Sequence, residues 1–534
     1  MTRSFVALGL NLLHIALKRN RFDFQDSVVL SRLEAIIVVV GNTLYSTNAS
    51  VLSLGIRCAA SLCKCPLNGV KKSIPVIVRQ ILDVLKQTGS TESDLSQTAL
   101  TSLATILRDG PPVQVKEKDL NYLLEVISPD LEDQSRQASV FALLRAIVAR
   151  KFVVPEIYDL MERVSEISVT SQSSQVQGLC RGVLLQFLLD YPQGKGRLRN
   201  QMTFFAKNLS YVHESGRLSV MELLDAVILK FQAALIEEYV ELLFVAIVMV
   251  IANDESAKCR EVAAQLIKKL WARSDDERKG ILLSHLHNWA SQTTRELLSC
   301  VAIQVYGLIL DIAQVELSSH LSDILHDLND PVQRVAASVV ANEDGELPMD
   351  IEVTWQLPYH SLTVLSKVIG VFPDQADKIG WKNITGLLLF PHAWVRAAAC
   401  KLLGLLFNSV SIALPRMDLP SESPLSSCGM RDVAKRLTEQ LKSDHLDETF
   451  SVQIIKNLFF IGKCYCLVPV EPKDAVAADD DIHEERVETV DQPLPWLFST
   501  LSYQIRSAHI ARTSRAISRV RVPHPFLSQS YISF

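Results

Sequence analysis

The residues of this chain best suited to chemistry are basic ones, and they come in two clusters. Arg506, Arg512, Arg515 and Arg519 lie between Trp496 and Val520, and Arg521 follows, with no Asp or Glu among them. On a helix, at about 100° per residue, Leu497, Leu501, Ile505 and Ala508 share one face, and Arg512, Arg515 and Arg519 continue it. Such a helix is expected to dock on protein through its first half and to project a cationic strip from its second. The second cluster is Lys195, Arg197 and Arg199, in a Gly-containing loop inside an acid-free run from Pro192 to Val212. Guanidinium and ammonium groups without competing carboxylates suit phosphate oxygens, so both clusters are candidate RNA contacts.

Catalytic and metal chemistry find less support. Cys63 and Cys65, and Cys464 and Cys466, form two C-x-C pairs. On a helix these thiols point apart, and no His/Cys cluster stands at zinc spacing beside them. His285 and His287, two apart, face different directions and cannot make an i, i+4 metal pair. Asp275, Asp276 and Glu277 beside Arg278 read as a helix start that complements the helix dipole. There is no nucleophile-elbow setting, no G-x-G-x-x-G and no G-x-x-x-x-G-K-[ST]. The expectation is a non-enzyme with no cofactor, no metal and no small-molecule substrate.

The elements that must position these residues are helices. Pro391–Phe407, PHAWVRAAACKLLGLLF, carries Val395, Ala398, Ala399, Leu402, Leu403 and Leu406 as one apolar stripe at helical spacing, with Pro391 expected in the first turn. Arg396 sits beside the stripe, in reach of a carboxylate or of carbonyls in the adjoining repeat. Related segments open at Arg57, Arg136, Arg181, Arg217, Arg260, Arg295 and Arg334; from Arg136 onward the spacings are 45, 36, 43, 35 and 39 residues. A period near forty, with an arginine leading into a helix of small and apolar residues, predicts an all-α, HEAT/armadillo-like α-solenoid of stacked helical hairpins. No segment sustains the period-two alternation of a strand.

The predicted organisation is repeats over 1–468, with inserted loops near 342–353 and 411–430. An acidic flexible linker over 470–495 follows, then the basic helix 496–520 and an irregular tail 521–534. The chain has 534 residues, 48% of them hydrophobic, and a formal charge of −5, so a nucleic-acid contact must be local. Ten scattered cysteines suggest a reducing compartment. The longest apolar run, Leu242–Ala252, is too short to cross a membrane. The N-terminal stretch with Arg3, Lys18 and Arg19 imitates a targeting peptide, but Asn11 and His14 interrupt its apolar part.

Particular segments also resemble a known family. DLEDQSRQASVFALLRAIVARKFVVPEIYDLM (Asp130–Met161), CRGVLLQFLLDYPQGKGRLRNQMTFFAKNL (Cys180–Leu209), SLTVLSKVIGVFP (Ser361–Pro373) and FPHAWVRAAACKLLGLLF are similar to the C-terminal third of the DRIM (down-regulated in metastasis) family. Loop residues such as LDYPQGK match as well as helical ones. DRIM proteins are very long HEAT-repeat components of the small-subunit processome, so the resemblance implies a chain that starts mid-solenoid and a scaffold with no catalytic residue to carry over. It also implies processome proteins, pre-ribosomal RNA and small nucleolar RNP as partners, no membrane, and a nuclear, nucleolar location. Val522–Phe534 departs from the family's basic C-terminal helix. A protein-only adaptor or karyopherin-like transport solenoid shares the same repeat physics and is the rival expectation.

Overall fold

Within each part of the chain, odd-numbered helices form one row and even-numbered helices pack against it. That arrangement is what a stripe of apolar residues on every helix requires, since no helix can cover its own face. A computed structural model describes residues 2–133, 135–341, 355–413, 419–421, 423–441 and 446–466. The described residues form helices with short 3-10 turns and no β-strand, an all-α HEAT-like solenoid. The inserted loop at 342–353, the expected linker, basic helix and tail over 470–534, and part of the 411–430 loop lie outside the described residues.

The chain divides into two compact units, Met1–Arg278 and Lys279–Phe534. In the first, α1 (Thr2–Lys18), α3 (Ala49–Leu62), α5 (Asp94–Asp109), α7 (Gln137–Ala149), α9 (Ser174–Asp190), α11 (Glu214–Lys230) and α13 (Ala257–Arg273) pack in succession. Against them stand α2 (Ser27–Thr43), α4 (Asn68–Thr88), α6 (Glu117–Ile127), α8 (Pro155–Thr170), α10 (Lys195–Asn208) and α12 (Ala233–Asn253). The second unit repeats the pattern. After α14 (Asp276–Ala290), which crosses the division, α15 (Glu296–Leu310), α17 (Gln356–Val371), α19 (Ala393–Ser409) and α21 (Glu448–Cys466) stack. Packed on them are α16 (Leu321–Ala341), α18 (Trp381–Gly386) and α20 (Ser427–Gln440).

Hydroxyl, carboxylate and amide oxygens cap the start of many of these helices: Asp26, Asn48, Ser93, Ser173, Ser256 and Ser426 each accept a backbone N–H from the first turn. Helix α4 is capped from outside, by Glu34 of α2, whose carboxylate accepts from the N–H groups of Asn68 (2.5 Å) and Gly69 (2.8 Å). The stripe in α19 is buried as expected, with Val395, Ala399, Leu402 and Leu403 fully enclosed.

Two expectations are corrected. Pro391 precedes α19, whose N-cap is His392, its ring accepting from the Trp394 N–H. Two prolines stand where a helix would be expected to break, Pro75 inside α4 and Pro331 in the middle of α16. Burial explains both prolines. Leu325, Leu328, Val332 and Ala336 keep one buried stripe running past Pro331, and Val70, Ile74, Ile77, Val78 and Ile81 do so past Pro75. That burial outweighs a helix-interior proline, which costs ~3 kcal/mol. Finally, Arg396 serves its own turn rather than an adjoining repeat: its Nη1 donates to the carbonyls of Phe390 (2.8 Å) and Pro391 (2.7 Å).

Candidate nucleic-acid interface

The arginine that opens each repeat has a definable job at three places. Arg217 Nη1 donates to the carbonyls of Tyr211 and Val212, Arg260 Nη1 to those of Asp254 and Glu255, and Arg396 Nη1 to those of Phe390 and Pro391. Each reaches back six and five residues and closes the turn before its own helix. Arg217 also grips Asp254 of the following repeat through two hydrogen bonds, at 2.7 and 2.9 Å. Burial works against the Asp254 carboxylate, but Arg217 and the Ser256 N–H hold its pKa below the usual range. The remaining openers vary: Arg136 pairs with Asp130 and Asp133, Arg181 with Glu222, Arg334 with Asp330, while Arg57 donates to Thr98. Of these four, all but Arg57, which has no carboxylate partner among the described residues, spend their charge inside the fold.

Of the basic residues expected to meet RNA, Lys195, Arg197 and Arg199 are not in a loop: they form the first turns of α10. The helix begins at Lys195 because Leu198, Met202 and Phe205 are buried at helical spacing, so burial carries the helix back to Gly194. Arg197 and Arg199 are both exposed. Arg197 lies 3.7 Å above the ring of Tyr158 on α8, and the Tyr158 hydroxyl donates to the Pro192 carbonyl at 2.8 Å. On the flanking helices stand exposed Glu162 and Glu166 of α8 and Glu238 of α12. The cationic turn is thus held between two acid-bearing helices. Arg506, Arg512, Arg515, Arg519 and Arg521 lie outside the described residues.

The thiols are inert by environment. Burial pushes the Cys63 thiol up to about 12 and also raises Cys65 and Cys464. Cys466 is the last residue of α21. Among the described residues no group of three His, Cys, Asp or Glu side chains is placed to hold a metal ion. His285 and His287 do face apart. The His285 ring stacks on Trp289, while His287 Nδ1 meets both carboxylate oxygens of Asp327, at 2.9 and 3.0 Å. Asp275 accepts the backbone N–H of Arg278 and caps the start of α14.

Sequence reasoning missed two clusters. Asp327, with its side chain 1% exposed, also accepts from the Tyr306 hydroxyl at 2.9 Å. Its partners come from two other helices, and only a helical alignment of α14, α15 and α16 could have joined the three. The other is a surface group in which Trp355 stacks on His392 at 4.2 Å and meets Trp394 edge-on at 4.9 Å. His392 and Trp394 belong to the most regular stretch of the sequence, so their signal was present but was read as helix start.

No family model matches the chain. Solved structures similar to it include Kap121p bound to Ste12p (14% identity, 96% of this chain and 48% of that one, TM-score 0.43). Kap95p in complex with RanGDP is another (11%, 96% and 68%, TM-score 0.42). An engineered protein is matched over 80% of this chain and 98% of its own (15%, TM-score 0.32). The solenoid assignment stands on the order in which the helices pack. Two curated proteins bear the name U3 small nucleolar RNA-associated protein 20. The one from Schizosaccharomyces pombe is 31% identical over 449 residues, and the one from Saccharomyces cerevisiae 29% identical over 460. The matched region is 83% and 85% of this chain but only 18% and 17% of those proteins, so the chain spans under a fifth of the length of the relatives it matches. Across more than four fifths of its own length, the chain is thus homologous to one segment of U3 small nucleolar RNA-associated protein 20.

Proposed function

We propose that the chain is a non-catalytic scaffold segment in small-subunit ribosome biogenesis, supporting pre-ribosomal RNA processing as part of the small-subunit processome in the nucleolus. The observation that carries this reading is the sequence similarity to proteins named for association with U3 small nucleolar RNA, which extends over more than four fifths of the chain. Its partners on this reading are processome proteins, pre-ribosomal RNA and the U3 small nucleolar RNP. A repeat stack suits the role, because stacked hairpins offer long surfaces without needing a catalytic cleft. The acidic stretch 470–495 tethers the basic helix 496–520, and Arg506, Arg512, Arg515, Arg519 and Arg521 meet phosphates.

Purification of the tagged full chain from cells tests the reading. U3 small nucleolar RNA and pre-ribosomal RNA should be retained through high-salt washing in the absence of nuclease. Retention of protein partners alone, with no RNA above background, would replace this reading by that of a protein-only adaptor.

A further inference from the structure

Helices α1, α3 and α5 run side by side, and three contacts fix their levels. The Cys58 thiol donates to the Leu10 carbonyl at 3.1 Å, the Ser61 hydroxyl lies 3.3 Å from His14 Nδ1, and Arg57 Nη2 donates to the Thr98 hydroxyl at 3.2 Å. Their outer faces enclose a trough of about 1260 Å³. Two of its walls carry rows of hydroxyls: Ser50, Ser53 and Ser61 on α3, Thr98, Thr101 and Thr105 on α5. Lys18, Arg57 and Lys64 supply positive charge, and Phe24 supplies an aromatic ring.

The charges are not equivalent. Lys64 is engaged by Asp109 at 2.9 Å, whereas neither Lys18 nor Arg57 has a carboxylate partner among the described residues. Exposed Arg19 and Arg21 follow Lys18 at the rim. Asp94 lines the trough in the first turn of α5, one turn before Thr98, to which the mid-α3 Arg57 donates, while Lys18 is the last residue of α1. The pKa of His14, between them, is lowered by burial and then by Arg57 and Lys18, which registers a positive local potential.

We infer that this trough binds single-stranded RNA, with backbone phosphates on Lys18 and Arg57, ribose hydroxyls against the Ser/Thr walls, and a base on Phe24. The inference rests on the reading that the chain meets pre-ribosomal RNA, and places a contact far in sequence from the tail arginines. Several features favour RNA over an acidic peptide. Unpaired cations along a groove track a phosphate backbone, and an aromatic face stacks a base irrespective of its identity. Side-chain hydroxyls both donate and accept, as does the ribose 2′-hydroxyl.

The test uses the full chain and a short fluorescein-labelled oligouridine, with affinity measured at several salt concentrations. The variant K18Q/R57Q should bind about tenfold more weakly. Its log–log salt slope should be flatter by about 1.4, because two phosphates are no longer neutralised, at about 0.7 each on a single strand. Thr101→Glu, which puts a carboxylate on an exposed wall position, should weaken binding as well while leaving the thermal melt unchanged. Oligouridine carrying 4-thiouridine should photocrosslink to the peptide containing Phe24.

Parental affinity and slope in both variants, with loss of binding only on replacing Arg512, Arg515 and Arg519, would overturn the trough and leave the RNA reading standing. A parent that binds no RNA would overturn both. Binding of a fluorescein-labelled glutamate-rich peptide that K18Q/R57Q abolishes, with RNA binding untouched, would reassign the trough to an acidic segment.

Discussion

Two buried aspartates respond to pH in opposite senses, and the difference lies in what each accepts. Asp254, its side chain 4% exposed, holds a bidentate contact from Arg217 and has a depressed folded-state pKa. Its contribution is present above the ordinary carboxylate value and is lost as pH falls through the folded one. Asp254→Ala strands the Arg217 guanidinium, whose side chain is 14% exposed, and should cost about 3–5 kcal/mol in a urea melt at neutral pH. A loss under 1 kcal/mol would show that the pair is solvated rather than buried. Asp327 is the converse. Burial raises its pKa more than His287 and Tyr306 lower it, so the folded state favours the acid form. That contribution is full below the ordinary carboxylate value and is lost as pH rises through the folded one. Asn in its place still accepts from Tyr306 and has no charge to bury. The melting temperature of Asp327→Asn relative to the parent should therefore climb between pH 4 and pH 7, and a flat difference would mean that Asp327 ionises as freely in the folded chain as in the unfolded one.

At the scale of elements, close approaches decide which residue types the repeat tolerates. A methyl at Gly216, in the first turn of α11, would come within 2.4 Å of the Val169 carbonyl oxygen and 2.6 Å of the Tyr211 ring. The nearest obstacle is backbone of α8 and cannot rotate away, so Gly216→Ala should destabilise the first unit by about 1–3 kcal/mol despite alanine's better helix propensity. An unchanged denaturation midpoint would refute the close approach. This contact also shows what a single sequence reveals of such a fold. Helix existence and the shared apolar stripe were legible, because burial repeats every three or four residues in α7, α13 and α19. Helix starts were less so. Prolines 75 and 331 advertise a break that tertiary burial overrides, and Gly194-Lys195-Gly196 advertises a loop where Leu198, Met202 and Phe205 hold a helix. The recurring arginine was visible as a letter, but its bonds to carbonyls five and six residues back were not. The Asp327 cluster and the trough join residues from three helices each, a proximity created only when the hairpins stack.

Across the whole molecule, the distribution of charge bears on the proposed RNA contact of the tail. The net charge of −5 repels a polyanion, yet the last stretch carries Arg506, Arg512, Arg515, Arg519 and Arg521 with no acid between them. Each arginine that neutralises a phosphate releases a counterion, and about four such contacts on a single strand give a log–log salt slope of roughly −3. Replacing Arg512, Arg515 and Arg519 with alanine should flatten that slope by about 2. It should weaken binding alike for unrelated sequences, since phosphates carry no base identity. The stretch Val470–Asp491 has nine acidic residues against Lys473 and Arg486. On the proposed reading these carboxylates, close in sequence, would compete with RNA for the same arginines, so deleting the stretch should tighten binding, most strongly at low salt where the competition is least screened. Electrophoretic shifts over a salt series on the parent, the triple variant and the deletion separate these effects. A triple variant that matches the parent at every salt concentration would leave the basic tail without an RNA contact and confine that contact to the repeats.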